Sequence, residues 1–88
     1  MRAFVFTVED VFCITGRGCV VVAGMPDHKL FLKPGDGILL KRPDGSEVET
    51  TIRGVDAGIR RENGTAIAIL LADVTKADIP IGTEVWQA

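Results

Sequence analysis

Apolar and polar positions alternate in short runs along this chain. Phe4, Phe6 and Val8 alternate with Val5, Thr7 and Glu9, the two-residue period of a half-buried strand. Val11 to Ile14 follows, then a glycine-flanked arginine, then Val20 to Val22. Pro34-Gly35-Asp36-Gly37 precedes a run from Ile38 to Lys41. Pro43-Asp44-Gly45 is a hairpin signal, because proline presets one turn angle and glycine accepts the next. On the return strand Val48, Thr50 and Ile52 alternate with Glu47, Glu49, Thr51 and Arg53, which predicts one wet face. Asn63-Gly64 predicts another turn, and Ala66 to Leu71 is apolar on both faces, the expected most buried strand. Gly82 leads into a last strand from Thr83 to Trp86. No window carries a helical stripe, and Thr75 to Ile79 is expected to make one short turn before Pro80. Short strands punctuated by Gly and Pro predict an all-β fold, a small closed barrel or a sandwich of six or seven strands. Closure would remove the open edges that invite aggregation.

Size and charge narrow the picture. The 88 residues make a single domain, 1–88, near the lower end of what folds without staples. At 47% hydrophobic the chain can build a core. Ten Lys+Arg against twelve Asp+Glu leave no basic excess, so any RNA contact is expected to be local or assisted by a partner. No apolar run approaches the roughly 20 residues of a membrane helix. The N-terminal stretch turns acidic by Glu9 and does not read as a signal peptide, so the expected location is cytoplasmic with reduced thiols. The start at Met1 and a completed last strand fit a whole small protein, with a fragment or subunit as the alternative.

The stretch Cys13-Ile14-Thr15-Gly16-Arg17-Gly18-Cys19 is the natural place to look for chemistry. One residue separates its glycines, where a P-loop needs four and then Lys-Ser/Thr. A dinucleotide fingerprint would need a third glycine at position 21, which is Val, and a helix to follow. Nucleotide is therefore not expected here, and a tight reversal between strands accounts for both glycines. Cys13, Cys19 and His28 lack the close pairs of a zinc site. The two thiols flank the tip and can approach each other across the strands; small buried apolar side chains are the leading reading, a redox pair the other. His28 lies in a turn-like segment with no nucleophile or orienting acid. Nothing converges as an acid, base or nucleophile, so no enzyme, no cofactor and no metal are expected.

The run Val8 to Gly24 resembles the start of domain 2 of elongation factor Tu and related translation GTPases, whose pattern is roughly EDVF-x-I-x-GRG-x-VV-x-G. Later stretches match the same domain in order: Leu32 to Asp36, Ile52 to Asp56, Ala68 to Leu71 and Lys76 to Gly82. The resemblance implies a closed β-barrel. It also implies that Thr15, Gly16, Arg17 and Gly18 face small-subunit ribosomal RNA, the glycines letting backbone approach phosphate and Arg17 offering a charged fork. By the same resemblance Glu9, Asp10 and Asp56 match acidic residues near the pocket for the aminoacylated tRNA end. Alanines stand at Ala66 and Ala72, where the family carries asparagine and arginine, so loss of tRNA-end binding is expected.

The GTPase domain and the third domain of that family have no counterpart in these residues, so neither GTP hydrolysis nor aminoacyl-tRNA carriage is expected. Flavin reductases share a related barrel, but their motif uses a tyrosine and this chain has none. The expected partner is ribosomal RNA or a translation factor. The alternative is a protein-interaction or structural module, as a heteromeric complex or a homodimer, with Met25-Pro26, Phe31 and Trp86 as its surface residues.

Overall fold

A computed structural model describes residues 3–24, 32–62 and 64–87. The strands are β1 (Ala3–Thr7), β2 (Asp10–Ile14), β3 (Gly18–Gly24), β4 (Gly37–Lys41), β5 (Glu47–Arg61), β6 (Gly64–Leu71) and β7 (Glu84–Gln87). They form one antiparallel sheet of seven strands in the order β1-β7-β4-β5-β6-β3-β2. A 3₁₀ turn, Lys76–Asp78, stands where the short turn before Pro80 is expected. No helix among the described residues is long and apolar enough to cross a membrane.

The expected closure by a full ladder is not met. β1 pairs with β7 and β2 with β3, but β1 and β2 do not pair with each other, so the sheet keeps two edges. The two edge strands are nevertheless consecutive in the chain. Their link is tied to both sides: Val8 N–H donates to Thr83 O at 2.8 Å and Glu9 N–H to Val22 O at 2.9 Å. β5 spans the two halves of the sheet, pairing β4 through Glu47–Thr51 and β6 from Ile52 onward.

Alternation decides what is buried. Val11, Cys19, Val21, Ala23, Ile52, Ile69 and Leu71 point inward from the β2-β3-β6-β5 side and meet Ile38, Leu40 and Val85 from the other. β1 departs from strict alternation. A register shift between Phe4 and Phe6 makes Val5 an extra residue, so Val5 and Phe6 are both buried. Phe4 is left outside against Trp86, their ring centroids 5.3 Å apart, with the Lys41 ammonium 4.6 Å from the Trp86 ring centroid. β6 is half as predicted: Ala66, Ile67, Ile69 and Leu71 are buried, whereas Ala68 and Leu70 are half-buried on the outer face.

The Arg42-to-Ser46 reversal follows its sequence signal. Gly45 N–H donates to Arg42 O, and Arg42 N–H to Ser46 O. The Arg42 side chain locks this corner to the 3₁₀ turn, with Nε donating to Asp78 O at 2.8 Å and Nη2 to Asp78 Oδ1 at 3.3 Å. His28, Met25-Pro26, Phe31 and Asn63 lie outside the described residues.

Candidate functional site: a cationic cleft at the β2-β3 tip

The β2-β3 ladder places Ile14 opposite Gly18 and leaves Thr15, Gly16 and Arg17 as the tip. Arg17 N–H donates to Ile14 O at 2.9 Å, closing a β-turn with Gly16 third at φ +78°, as a type II turn requires. The two glycines of the motif have different surroundings. A Cβ on Gly16 would meet nothing within 4 Å, so the backbone there is open to a ligand. Gly18, at φ +105°, sits against β6, and a Cβ there would run into the Leu71 carbonyl. Its smallness serves the fold, not an approach from outside.

The tip forms one wall of a cleft of about 430 Å³. Arg53 and the segment Asp73, Val74, Thr75 and Lys76 complete it. Arg53 is the residue skipped where the β5-β6 register shifts between Ile52 and Gly54, a bulge that re-aims its side chain. Asp73 adopts φ 52° and is the one non-glycine residue with positive φ among those described; aspartate tolerates that conformation. Asp78 fixes the last part of the wall, its Oδ2 accepting the Thr75 N–H at 2.8 Å and the Thr75 hydroxyl at 3.2 Å. Arg17, Arg53 and Lys76 are all exposed, and among the described residues none of them forms an ion pair. Three cations and one carboxylate, Asp73, thus face a common space on a chain whose net charge is −2.

The expectation of reduced cysteines is corrected. The register sets Cys13 opposite Cys19, and the two are joined by a disulfide with Cα atoms 3.9 Å apart. Cys13 is exposed and lines the cleft, while Cys19 is buried at 1% exposure. The hairpin pairing that lets the thiols approach also decides against two separate buried apolar side chains.

Of the three acidic residues implied for the tRNA end, Glu9 and Asp10 are chain neighbours at the start of β2, and Asp56 lies on β5. Glu9 is exposed but engaged by its own chain: Oε2 accepts the Gly24 N–H at 2.7 Å and Oε1 accepts from Arg61 at 3.2 Å. The Gly24 amide holds its carboxyl below the ordinary range, and the Arg61 guanidinium acts in the same direction. Asp10 accepts the Val11 N–H at 2.9 Å. Asp10 and Asp56 lie in one cross-strand row, separated by Val22 and Ala68, which puts them roughly 14 Å apart at the usual strand spacing. Ala66 and Ala72 are both buried and offer no polar group to that face.

Sequence reasoning placed Arg17 at the tip but missed Arg53, Asp73 and Lys76 as its companions. Arg53 and Lys76 sit in stretches that match the domain-2 pattern and Asp73 falls between two of them, but only the β5-β6 register and the loop after β6 bring them to Arg17. A separate apolar row also went unpredicted. Phe12, Val20 and Leu70 are cross-strand neighbours on the outer face, with Phe12 57% and Ile14 48% exposed. No protein-family model matches this chain.

Proposed function

We propose that this chain is a non-catalytic β module, resembling domain 2 of translation elongation factors, that docks on RNA backbone through the Thr15–Gly18 tip. The observation that carries the proposal is the convergence of Arg17, Arg53 and Lys76, free of ion pairs among the described residues, on one cleft of an otherwise acidic chain. Arg17 supplies a planar fork that fits phosphate oxygens, Lys76 a point charge and Arg53 a second fork. The open backbone at Gly16 lets a phosphate come close, whereas Gly18 is committed to Leu71. Ribosomal RNA, reached as part of a ribosome or with a translation factor, is the partner that the resemblance favours. Cytoplasmic location and action without nucleotide or cofactor belong to the same proposal. Co-sedimentation of the purified chain with ribosomes over a salt series, beside Arg17→Ala, tests it. Binding that weakens with salt and falls in Arg17→Ala is expected; no binding at low salt overturns the proposal.

The second reading is a protein-interaction module. It draws on the exposed row of Phe12 and Ile14 on edge strand β2, a kind of apolar surface that partners cover. That reading expects a salt-tolerant complex or homodimer insensitive to Arg17→Ala. Trp86 serves it less well, because its ring is half-buried beneath Phe4 and Lys41.

A further inference from the structure

We propose that the Cys13–Cys19 disulfide is a reversible redox switch on the cationic cleft, with the oxidised form the one that binds RNA backbone. The inference rests on the reading of the cleft given above. Its ground is where the two sulfurs sit. Cys13 is exposed on the tip wall of the cleft, one register pair below the turn. Cys19 Sγ is buried and lies 3.3 Å from Val74 O, the carbonyl that precedes Thr75 and Lys76 on the opposite wall. The disulfide thus touches both walls. In the oxidised form Cys19 has no proton to give to that carbonyl; as a thiol it donates to Val74 O. Reduction therefore releases the tip from its cross-strand tie and changes the contact between Cys19 and the loop that carries Lys76.

The reaction partner is a dithiol, small or protein-borne. Its thiolate attacks the accessible Cys13 sulfur, the Cys13–Cys19 bond breaks, and Cys19 leaves as a thiolate that takes up a proton. The second thiol of the reductant then attacks the mixed disulfide and releases Cys13. The protein gains two electrons and two protons, and the reductant becomes a disulfide. Exposure of Cys13 and burial of Cys19 direct the first attack to Cys13.

The fold is built to survive this step. The bridge spans a sequence separation of only 6, the short end of the loop-closure scale, where a cross-link constrains the unfolded chain least. The Val11 and Val21 side chains hold the base of the same hairpin in the core. Because β2 is an edge strand, its tip relaxes without tearing a second ladder.

The test uses the full chain, oxidised or treated with dithiothreitol, with a fluorescent single-stranded RNA oligonucleotide at low salt. Two thiols are expected to appear while the far-ultraviolet circular dichroism of the strands persists. Affinity is expected to fall about five-fold or more on reduction, and a Cys13→Ser/Cys19→Ser variant to match the reduced form and ignore dithiothreitol. Equal affinity in the two redox states, or a bridge that yields to dithiol only when the chain unfolds, overturns the switch. If RNA binds in neither state, it is the cleft's reading that fails. The switch is then judged by amide exchange at Thr15–Gly18 and Asp73–Lys76: faster exchange after reduction supports it, and unchanged exchange overturns it.

Discussion

Replacing Gly18 by alanine separates two explanations of the glycine pair around Arg17. If both glycines serve an outside partner, alanine at either costs binding and little stability. The structure says otherwise for Gly18. Its φ of +105° is strained for any side chain, and the added Cβ overlaps the Leu71 carbonyl, a backbone atom of the inner strand β6. Backbone strain of this kind costs about 1–3 kcal/mol. Forcing an atom into packed backbone adds about 1–3 kcal/mol. Gly18→Ala is thus expected to lose roughly 2–6 kcal/mol, a large part of the ~4–13 kcal/mol available to a domain of 88 residues. Gly16→Ala is the matched control. Its φ is +78° and nothing lies within 4 Å of the new Cβ, so only the left-handed conformation is charged, about 1–2 kcal/mol. Urea unfolding of both variants measures the difference. With a denaturant slope of about 1 kcal/mol per molar, the midpoints should differ by roughly 1–3 M, Gly18→Ala the lower. Equal midpoints would refute the reasoning, because they would mean that Gly18 does not pack on Leu71.

Glu9 gives a pH dependence: its carboxyl is held below its ordinary value of 4.5 by the Gly24 amide and then by Arg61. A depressed folded pKa contributes stability that is present above the unfolded value and lost as pH falls through the folded one. Thermal melts of Glu9→Gln should therefore show a shallower loss of stability below about pH 4.5 than the parent chain; parallel acid limbs would contradict the assignment. Arg42→Ala removes the donors to Asp78 O, Asp78 Oδ1 and Ser46 Oγ, and should cost about 1–3 kcal/mol in urea unfolding, whereas Lys41→Ala at a longer surface pair should cost under about 1 kcal/mol. In RNA binding, each of Arg17→Ala, Arg53→Ala and Lys76→Ala should flatten the slope of log affinity against log salt by about 0.7, and Asp73→Asn should raise affinity about two- to five-fold. A cleft variant that leaves the slope unchanged would remove that residue from the interface.

The strands were legible because their signals are local. Alternation set the wet face of β5, Pro43-Asp44-Gly45 set its hairpin, and the Thr75–Ile79 turn formed as a short 3₁₀ segment. Three features were not legible, for one reason. The bulge at Val5 buries Val5 and leaves Phe4 outside, the bulge at Arg53 aims that side chain at the cleft, and the pairing across the tip decides that Cys13 and Cys19 are joined instead of separately buried. Each depends on register against a neighbouring strand, which an alternating pattern on one strand does not encode. Closure fails on the same ground. Seven strands of suitable length do not fix whether the first and last strands of the sheet meet, and here the chain passes from one edge to the other at Val8-Glu9.

That passage also bears on where function gathers. The segment from Ala3 to Ile14 supplies both edges of the sheet, and its far end carries the tip, the exposed Cys13 and the outward Phe12 and Ile14. An edge strand paired on one side alone holds its hairpin less firmly than an inner strand, so small local changes there leave the core untouched. Opposite the tip, the loop after β6 is fixed by Asp78 and, through Asp78, by Arg42. One wall of the cleft is thus adjustable and the other is held. A cationic site built across such a pair responds to a change at the hairpin, because the wall that carries Arg17 is the less firmly held of the two. Binding that ignored both the Cys13–Cys19 bridge and the Arg42–Asp78 tie would remove the reason for reading these two walls as one site.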